Sequence, residues 1–190
     1  AGVVGEMLTE LFCEYSAEIS RDREKLLNLA VSFGQGLQMT NIIKDLWEDT
    51  AHGACWMPQN VFQKVGYDLK DLASGQSTEA FGEGVAVLIG LTRSHLQNAL
   101  LYTLMIPRHE TGIRKFCLWA IGMAILTLRK INKKRNYKSG QEVKISRRSM
   151  KAMILVTNAT LGSNFLLKRL FGLITRGLPM CGDISGDGRA

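Results

Sequence analysis

Apolar residues recur at steps of three and four along nearly the whole 190-residue chain, and no alternating strand pattern extends beyond a few residues. This is the period of amphipathic α-helices, because side chains three and four apart share one helix face. The pattern therefore predicts an all-α fold. The predicted helices cover an opening segment to about residue 15, residues 22–50, a short helix beginning at Pro58, and residues 77–106, 112–132 and 147–176.

The size and punctuation of the chain predict a single domain. Hydrophobic residues make up 46% of the sequence, which suffices for one substantial core, and only three prolines occur. No long linker rich in Gly, Ser or Pro divides the chain. We therefore expect one helical domain over residues 1–180 and a flexible tail over residues 181–190.

Charge divides the chain into an acidic and a basic part. Residues 1–105 hold 7 Lys and Arg against 13 Asp and Glu, a net charge of −6, whereas residues 106–190 hold 17 against 4, a net charge of +13. A basic part of this kind attracts phosphates of any source, including diphosphate substrates, nucleotide cofactors, nucleic acid and lipid headgroups. Charge alone does not choose among them.

One polar stripe suggests a specific chemistry. Gln38, Asn41, Asp45 and Asp49 are spaced three, four and four residues apart, which places them along one helix face. Carboxylate and amide oxygens are the hard ligands that magnesium prefers, together with water and phosphate oxygens. A solvated helix face explains an arbitrary acid pair more simply, but the residues that flank this stripe are strongly apolar. The stripe therefore predicts one half of a magnesium site.

The segment that holds this stripe resembles a known family. Residues 37–49, which read LQMTNIIKDLWED, look like the second aspartate-rich motif of squalene and phytoene synthases. The likeness continues through Gly53 and residues 56–61, WMPQNV, and residues 1–5 are similar to the preceding helix of the family. Residues 115–117, 124–128 and 143–148 look more like squalene synthases than phytoene synthases.

The resemblance implies both a fold and a reaction. The fold would be a helical bundle of the class I isoprenoid synthase type that lacks its N-terminal helices. The reaction would join two farnesyl diphosphates head to head through presqualene diphosphate and end with reduction by NADPH to squalene. The implied cofactors are Mg²⁺ and NADPH, and the implied substrate is farnesyl diphosphate.

The resemblance also implies roles for individual residues. Magnesium would be bound by Asp45, Asp49 and Asn41. Catalysis would depend on Asp45, Asp49 and Phe116, the last facing the rearranging carbocation. The substrate would contact Gln38, Asn41, Lys44, Val4, Gly34 and Leu37, and NADPH would contact Lys144, Arg147 and Arg148.

Two departures from the family pattern change the expectation. Lys44 stands where family members often have arginine, which keeps the charge but loses the two-pronged geometry of a guanidinium. The first aspartate-rich motif has no counterpart upstream of Asp45. We therefore expect the chain to be the carboxy-terminal portion of a longer enzyme, to need the missing N-terminal half for a complete site, and to have little or no activity alone.

Two alternative functions remain open. One keeps the transferase but ends without reduction, at phytoene or dehydrosqualene. The other is a non-catalytic helical module whose basic part binds nucleic acid or an anionic membrane, although no DNA-binding motif supports nucleic acid as a partner. Four widely spaced cysteines suggest a reducing cytoplasm, and the basic, apolar last helix suggests contact with a membrane surface.

Overall fold

The computed structural model describes residues 1–74 and 78–181, and over those residues it contains α-helices and short 3₁₀ helices but no β-strand. This confirms the all-α prediction. The helices are α1 (Gly2–Tyr15), α2 (Ala17–Ser20), α3 (Arg23–Lys44), α4 (Leu46–Ala51), α5 (Gln59–Lys64), α6 (Glu79–Met105), α7 (Thr111–Lys133), α8 (Arg147–Thr160) and α9 (Asn164–Ile174), with 3₁₀ helices at Leu69–Ser74 and Gly140–Val143. The predicted tail lies outside the described residues, apart from Cys181.

Two of the predicted helices are in fact interrupted. The segment 22–50 divides at Asp45, whose backbone lies at φ −94° and ψ 8°, so α3 ends at Lys44 and α4 begins at Leu46. The segment 147–176 divides at residues 161–163. Gly162 disfavours helix, and the side chain of Ser163 accepts a hydrogen bond from the Leu166 amide and so starts α9.

The core is built around α3, which packs against α1 on one side and α6 on the other. Helix α7 completes the bundle by packing against α3, α6 and α8. The helices α1 and α3 approach closely because glycines lie at their contact. A Cβ atom on Gly5 would lie 2.2 Å from the Ala30 carbonyl oxygen, and one on Gly34 would lie 2.3 Å from the Ala1 carbonyl oxygen.

Helix α7 contains a long apolar stretch. In the part of the chain that the structure describes, it alone has the length and apolarity of a membrane-crossing helix, but half of the qualifying window is buried inside the protein. Its buried residues include Leu118, Ile121, Ile125 and Leu128. These contacts give α7 the role of a core helix.

A fully buried arginine joins two corners of the bundle. The guanidinium of Arg114, on α7, donates to the carbonyls of Thr103 and Ile106 at the end of α6, at 3.2 and 2.7 Å. It also donates to the Leu161 carbonyl and to the Asn164 side chain, at 3.2 and 2.8 Å, where α8 gives way to α9. Carbonyls at helix C-termini carry partial negative charge, so they stabilise the cation, which forms no ion pair with a carboxylate of the described residues.

Candidate active site

The acid pair lies at the interruption between α3 and α4. The Asp45 amide donates to the Asn41 carbonyl at 2.8 Å, and the Asp49 amide donates to the Asp45 carbonyl at 2.9 Å. Because these i to i+4 bonds continue through the interruption, the backbone advances nearly as one helix from Asn41 to Asp49. Asp45 and Asp49 therefore lie one turn apart, as the sequence spacing predicts.

The side chains of the pair are accessible to a ligand. Lys44 Nζ lies 3.2 Å from Asp45 Oδ2, and both side chains are partly exposed. The Asp49 side chain has no hydrogen-bond or ion-pair partner among the described residues. Those residues also contain no group of three or more His, Cys, Asp and Glu that could hold a metal. Two carboxylates and the nearby amide of Asn41 fit magnesium, which takes its remaining ligands from water and phosphate.

A cleft of about 390 Å³ opens between α3 and α7. Neither Asp45 nor Asp49 lines it, but the lining residue Lys44 contacts Asp45 at 3.2 Å, so the acid pair lies next to the cleft. The cleft brings together four residues that the sequence assigned to substrate or cofactor: Leu37, Asn41, Lys44 and Lys144. The opposite wall is mostly apolar, and the remaining lining residues are Thr40, Ala120, Met123, Ala124, Thr127 and Ile145. The cleft thus places two ammonium groups beside an apolar surface.

The loop that carries Lys144 is fastened to the acid-bearing helices. The hydroxyl of the buried Tyr137 donates to the Ile43 carbonyl, two residues before Asp45. Glu48, between the two aspartates, accepts from the Gly140 amide at 3.0 and 3.3 Å. Burial raises the pKa of Tyr137, and the carboxylates of Glu48 and Asp45 raise it further, so the phenol stays protonated and able to donate.

The position of Lys144 is also fixed from α7. Lys130 Nζ donates to the Lys144 carbonyl at 2.6 Å. The backbone of Lys144 is therefore held from α7, and its loop is held from α3 and α4, while the side chain lines the cleft and is exposed. The two lysines are consequently kept on the same cleft by long-range contacts.

Phe116 lies at a second, smaller site. It lines an apolar cavity of about 30 Å³ together with Gly5, Leu8, Phe12, Ala30, Phe33, Tyr102 and Cys117. About half of the Phe116 side chain is exposed. Burial raises the pKa of the Cys117 thiol to about 12, so this cavity is walled by uncharged groups.

The structure places the other assigned residues around these two sites. Val4 is exposed on α1, next to the glycine of the small cavity, and Gln38 is exposed on α3. Gly34 packs beneath the start of α1, so its contact in this structure is with Ala1, and its place in a substrate channel stays a prediction. Arg147 and Arg148 begin α8 with exposed side chains that have no recorded partner within the described residues.

Sequence reasoning missed one wall of the cleft and the fastening of its loop. Ala120, Met123, Ala124 and Thr127 are spaced three, one and three residues apart on α7, so mostly small side chains face α3. That spacing of small residues on a bulky apolar helix is a signal that was available in the sequence. Tyr137 and Glu48 carry no such local signal, because their partners are 94 and 92 residues away.

Comparisons with known proteins show which family the sequence resembles. The family model described as squalene/phytoene synthase matches residues 1–149. The squalene synthase ERG9 of Gibberella zeae is 35% identical over 129 residues, which is 67% of this chain and 27% of that protein. The squalene synthase of Mus musculus is 32% identical over 131 residues, 67% of this chain and 30% of that protein.

Phytoene synthases match as well. That of Thermus thermophilus is 29% identical over 100 residues, 53% of this chain and 32% of that protein. The chain thus spans about a third or less of the length of these relatives.

Proposed function

Because the chain belongs to the squalene/phytoene synthase family, we propose that its cleft receives the diphosphate end of farnesyl diphosphate for head-to-head condensation toward squalene. The family places the chain among the enzymes of isoprenoid condensation. The proposal adds the substrate, the product and the roles of individual residues. The observation that carries it is the pairing of Lys44 and Lys144 with an apolar wall in one cleft.

The two lysines suit a prenyl diphosphate in charge and in shape. A diphosphate is strongly anionic, and two ammonium groups on separate elements attract it from both sides. Leu37, Met123 and Ala124 offer an apolar surface for the first prenyl carbons. A nucleic-acid backbone would gain no binding energy from an apolar wall, so the lining favours a substrate with an apolar tail.

Asp45, Asp49 and Asn41 are the residues that would hold magnesium at this cleft. When bound, the metal would neutralise the charge that grows on the diphosphate as its carbon–oxygen bond breaks. Lys44 would also help to neutralise the diphosphate, because its ammonium lies 3.2 Å from Asp45 and lines the cleft. Asn41 would add an uncharged amide, whose oxygen can contact the metal and whose nitrogen can donate to the diphosphate.

The apolar residues near Phe116 would protect the carbocation that departure of the diphosphate leaves behind. A single water molecule would convert that cation into an alcohol, so the walls must exclude water. Phe116, Phe33 and Tyr102 are among the residues that line a small cavity, and an aromatic ring can attract positive charge through its face. Val4 and Leu37 would extend this apolar lining.

The reductive step is the most specific part of the proposal. Lys144, Arg147 and Arg148 are exposed cations on one short segment, which suits the phosphates of NADPH, and hydride from that cofactor would complete squalene. Relatives named phytoene synthase also match the chain. A product without reduction is therefore the second candidate. Product analysis of a complete enzyme with and without NADPH separates the two.

We further propose that the chain has little turnover by itself. Asp45 and Asp49 form one acid pair next to the cleft, and the described residues contain no group of three or more His, Cys, Asp and Glu that could hold a metal. Incubation with farnesyl diphosphate, Mg²⁺ and NADPH should give no squalene from the chain alone. Ready turnover by the chain alone would contradict this expectation.

A binding experiment tests the site directly. Calorimetry with a non-hydrolysable farnesyl thiodiphosphate should show tighter binding when Mg²⁺ is present. Asp45→Asn with Asp49→Asn should remove most of that gain, because the change removes both negative charges that attract the cation. The matched control is Glu79→Gln with Glu83→Gln, an exposed acid pair at the same spacing on α6. Equal losses in both double variants, or no effect of Mg²⁺ on the wild type, would overturn the proposed site.

A further inference from the structure

The segment from residue 143 to residue 181 contains no Asp or Glu. It contains seven basic residues, all exposed: Lys144, Arg147, Arg148, Lys151, Lys168, Arg169 and Arg176. This segment includes α8, α9 and the turn between them. All charged side chains on the α8–α9 hairpin are therefore positive, and such a surface attracts an anionic partner.

The same hairpin exposes large apolar side chains. On α9, Phe165 is 63% exposed, Leu166 is 46% exposed and Leu173 is 66% exposed. On α8, Leu155 is 71% exposed. Single exposed apolar residues need no explanation, but several on one short hairpin indicate a surface that contacts something apolar.

Helix α9 is apolar on two faces, and only one of them is used in the fold. Leu167 and Phe171 are buried against the protein. Leu166, Arg169 and Leu173 are spaced three and four residues apart, which puts them on one outward face, and Arg176 follows just after the helix ends. The outward face therefore alternates apolar and cationic side chains along its length.

The cations on α9 are placed to flank the apolar residues. Arg169 Cζ lies 5.2 Å from the centroid of the Phe165 ring. Arg and Lys side chains can lay their stems along apolar material while the charged ends reach water or lipid phosphate. A helix with this arrangement is typical of those that lie in the plane of a membrane interface.

We propose that the outward face of the α8–α9 hairpin docks on the surface of an anionic membrane, with Phe165, Leu166 and Leu173 entering the headgroup region and the flanking cations binding lipid phosphates. The exposed leucines favour lipid over nucleic acid, because base stacking uses aromatic faces and phosphate contacts need no aliphatic residues. The family match ends at residue 149, so α9 lies beyond the part shared with the family model. The proposal does not depend on the proposed reaction.

Vesicle flotation with the 190-residue chain tests this proposal. The chain should float with vesicles of phosphatidylcholine and phosphatidylserine, and bind far less to phosphatidylcholine alone. Lys168→Gln with Arg169→Gln should weaken binding roughly thirtyfold, since each cation near an anionic surface contributes about a factor of five. Phe165→Ser with Leu173→Ser should weaken it about tenfold or more while leaving the charge unchanged.

Matched controls distinguish binding by this hairpin from non-specific binding of the protein to vesicles. Arg21→Gln with Lys64→Gln removes two exposed cations elsewhere, and Met7→Ser with Leu11→Ser removes two exposed apolar residues on α1. Neither control should change vesicle binding. A Phe165→Trp variant should show fluorescence quenching by brominated lipid.

Several outcomes would overturn the proposal: no vesicle binding, equal binding to neutral vesicles, equal losses in the controls, or competition by duplex DNA without an effect of the apolar variant. All of these leave binding of the thiodiphosphate unaffected, so failure here is distinguishable from failure of the proposed function.

Discussion

Tyr137 donates its phenolic hydrogen to the backbone carbonyl of Ile43, across 94 residues of sequence. The bond reaches α3 two residues before its interruption at Asp45. It fixes the loop that carries Lys144 against the helix that carries Lys44, and Glu48 reinforces it through the Gly140 amide. The cationic side of the cleft is thus assembled by tertiary contacts.

Tyr137→Phe should loosen this assembly. The variant keeps the buried ring but leaves the Ile43 carbonyl without its donor, so the free energy of unfolding should fall by about 1 kcal/mol. Affinity for farnesyl thiodiphosphate should fall severalfold, because the loop loses one of its fixed points. Urea unfolding and calorimetry measure the two effects. Tyr15→Phe, at an exposed tyrosine on α1, should change neither quantity; a similar loss in both variants would contradict the role of Tyr137.

Lys44→Gln and Lys144→Gln should each weaken thiodiphosphate binding about tenfold, because a charge-assisted contact to phosphate contributes about 1.5–3 kcal/mol before solvent exposure reduces it. The double variant should lose more than either single variant. Calorimetry at low and high salt measures the losses. Lys64→Gln, an exposed cation on α5, is the control and should bind as the wild type does. Unchanged binding in both cleft variants would show that the diphosphate lies elsewhere.

The sequence predicts the helical class and the one-turn spacing of Asp45 and Asp49 well, because both depend on local periodicity. The spacing of Asp45 and Asp49 survives in the structure because backbone bonds continue through the interruption between α3 and α4. The interruption itself has no local marker. Asp45 is neither glycine nor proline, and the neighbouring Ile43 carbonyl takes a distant tyrosine as its donor.

The second wall of the cleft was harder to foresee for a related reason. Periodicity shows that α7 has a buried face, but it does not show which helix covers each residue. Lys144 and Lys44 are one hundred positions apart, and only the packing of α3, α7 and the Gly140–Val143 segment brings them together. The division of the last helix was, by contrast, readable from Gly162 and Ser163.

Gly5→Ala should destabilise the protein by about 1–3 kcal/mol. The added Cβ would lie 2.2 Å from the Ala30 carbonyl oxygen, and backbone atoms cannot rotate away as a side chain can, so α1 must shift from α3. Thermal unfolding measures the loss. Gly112→Ala is the matched control, because a Cβ there meets nothing within 4 Å and alanine favours the start of α7. The control should be neutral or stabilising. If both variants behave alike, close approach of the two helices is not what Gly5 provides.

Arg114→Met should destabilise the protein by about 3 kcal/mol or more. The change removes the guanidinium that donates to the buried carbonyls of Ile106 and Leu161, and it leaves the Thr103 carbonyl with only the Ile106 amide as donor. Arg114→Lys should recover little, because one ammonium cannot reach acceptors on two separate corners. Urea unfolding measures both variants. Arg108→Gln, at an exposed position near Arg114, should stay within about 0.5 kcal/mol of the wild type. A mild effect of Arg114→Met would mean that water or local repacking satisfies these carbonyls.

Protonation of His95 should destabilise the contact between α3 and α6. Burial lowers the pKa of His95, whose Nδ1 lies 2.9 Å from Ser32 Oγ, while Asn98 donates to the same hydroxyl at 2.9 Å. The unfolded chain, with a pKa of about 6.5, therefore binds a proton more readily than the folded protein does. The contribution of neutral His95 to stability is therefore complete above the unfolded pKa. It falls as the pH drops below that value, until the pH has passed the lower pKa of the folded protein.

His95→Gln removes this titration and isolates it from the other acid-sensitive groups. Urea unfolding at about pH 7.5 and about pH 5.5 should show a smaller fall in the free energy of unfolding for His95→Gln than for the wild type. The difference between the two proteins at the lower pH should therefore shrink or change sign. If the free energy of unfolding fell equally in the wild type and in His95→Gln, the imidazole would bind a proton equally well in the folded and unfolded states. The hydroxyl of Ser32 would then accommodate the cation as well as water does.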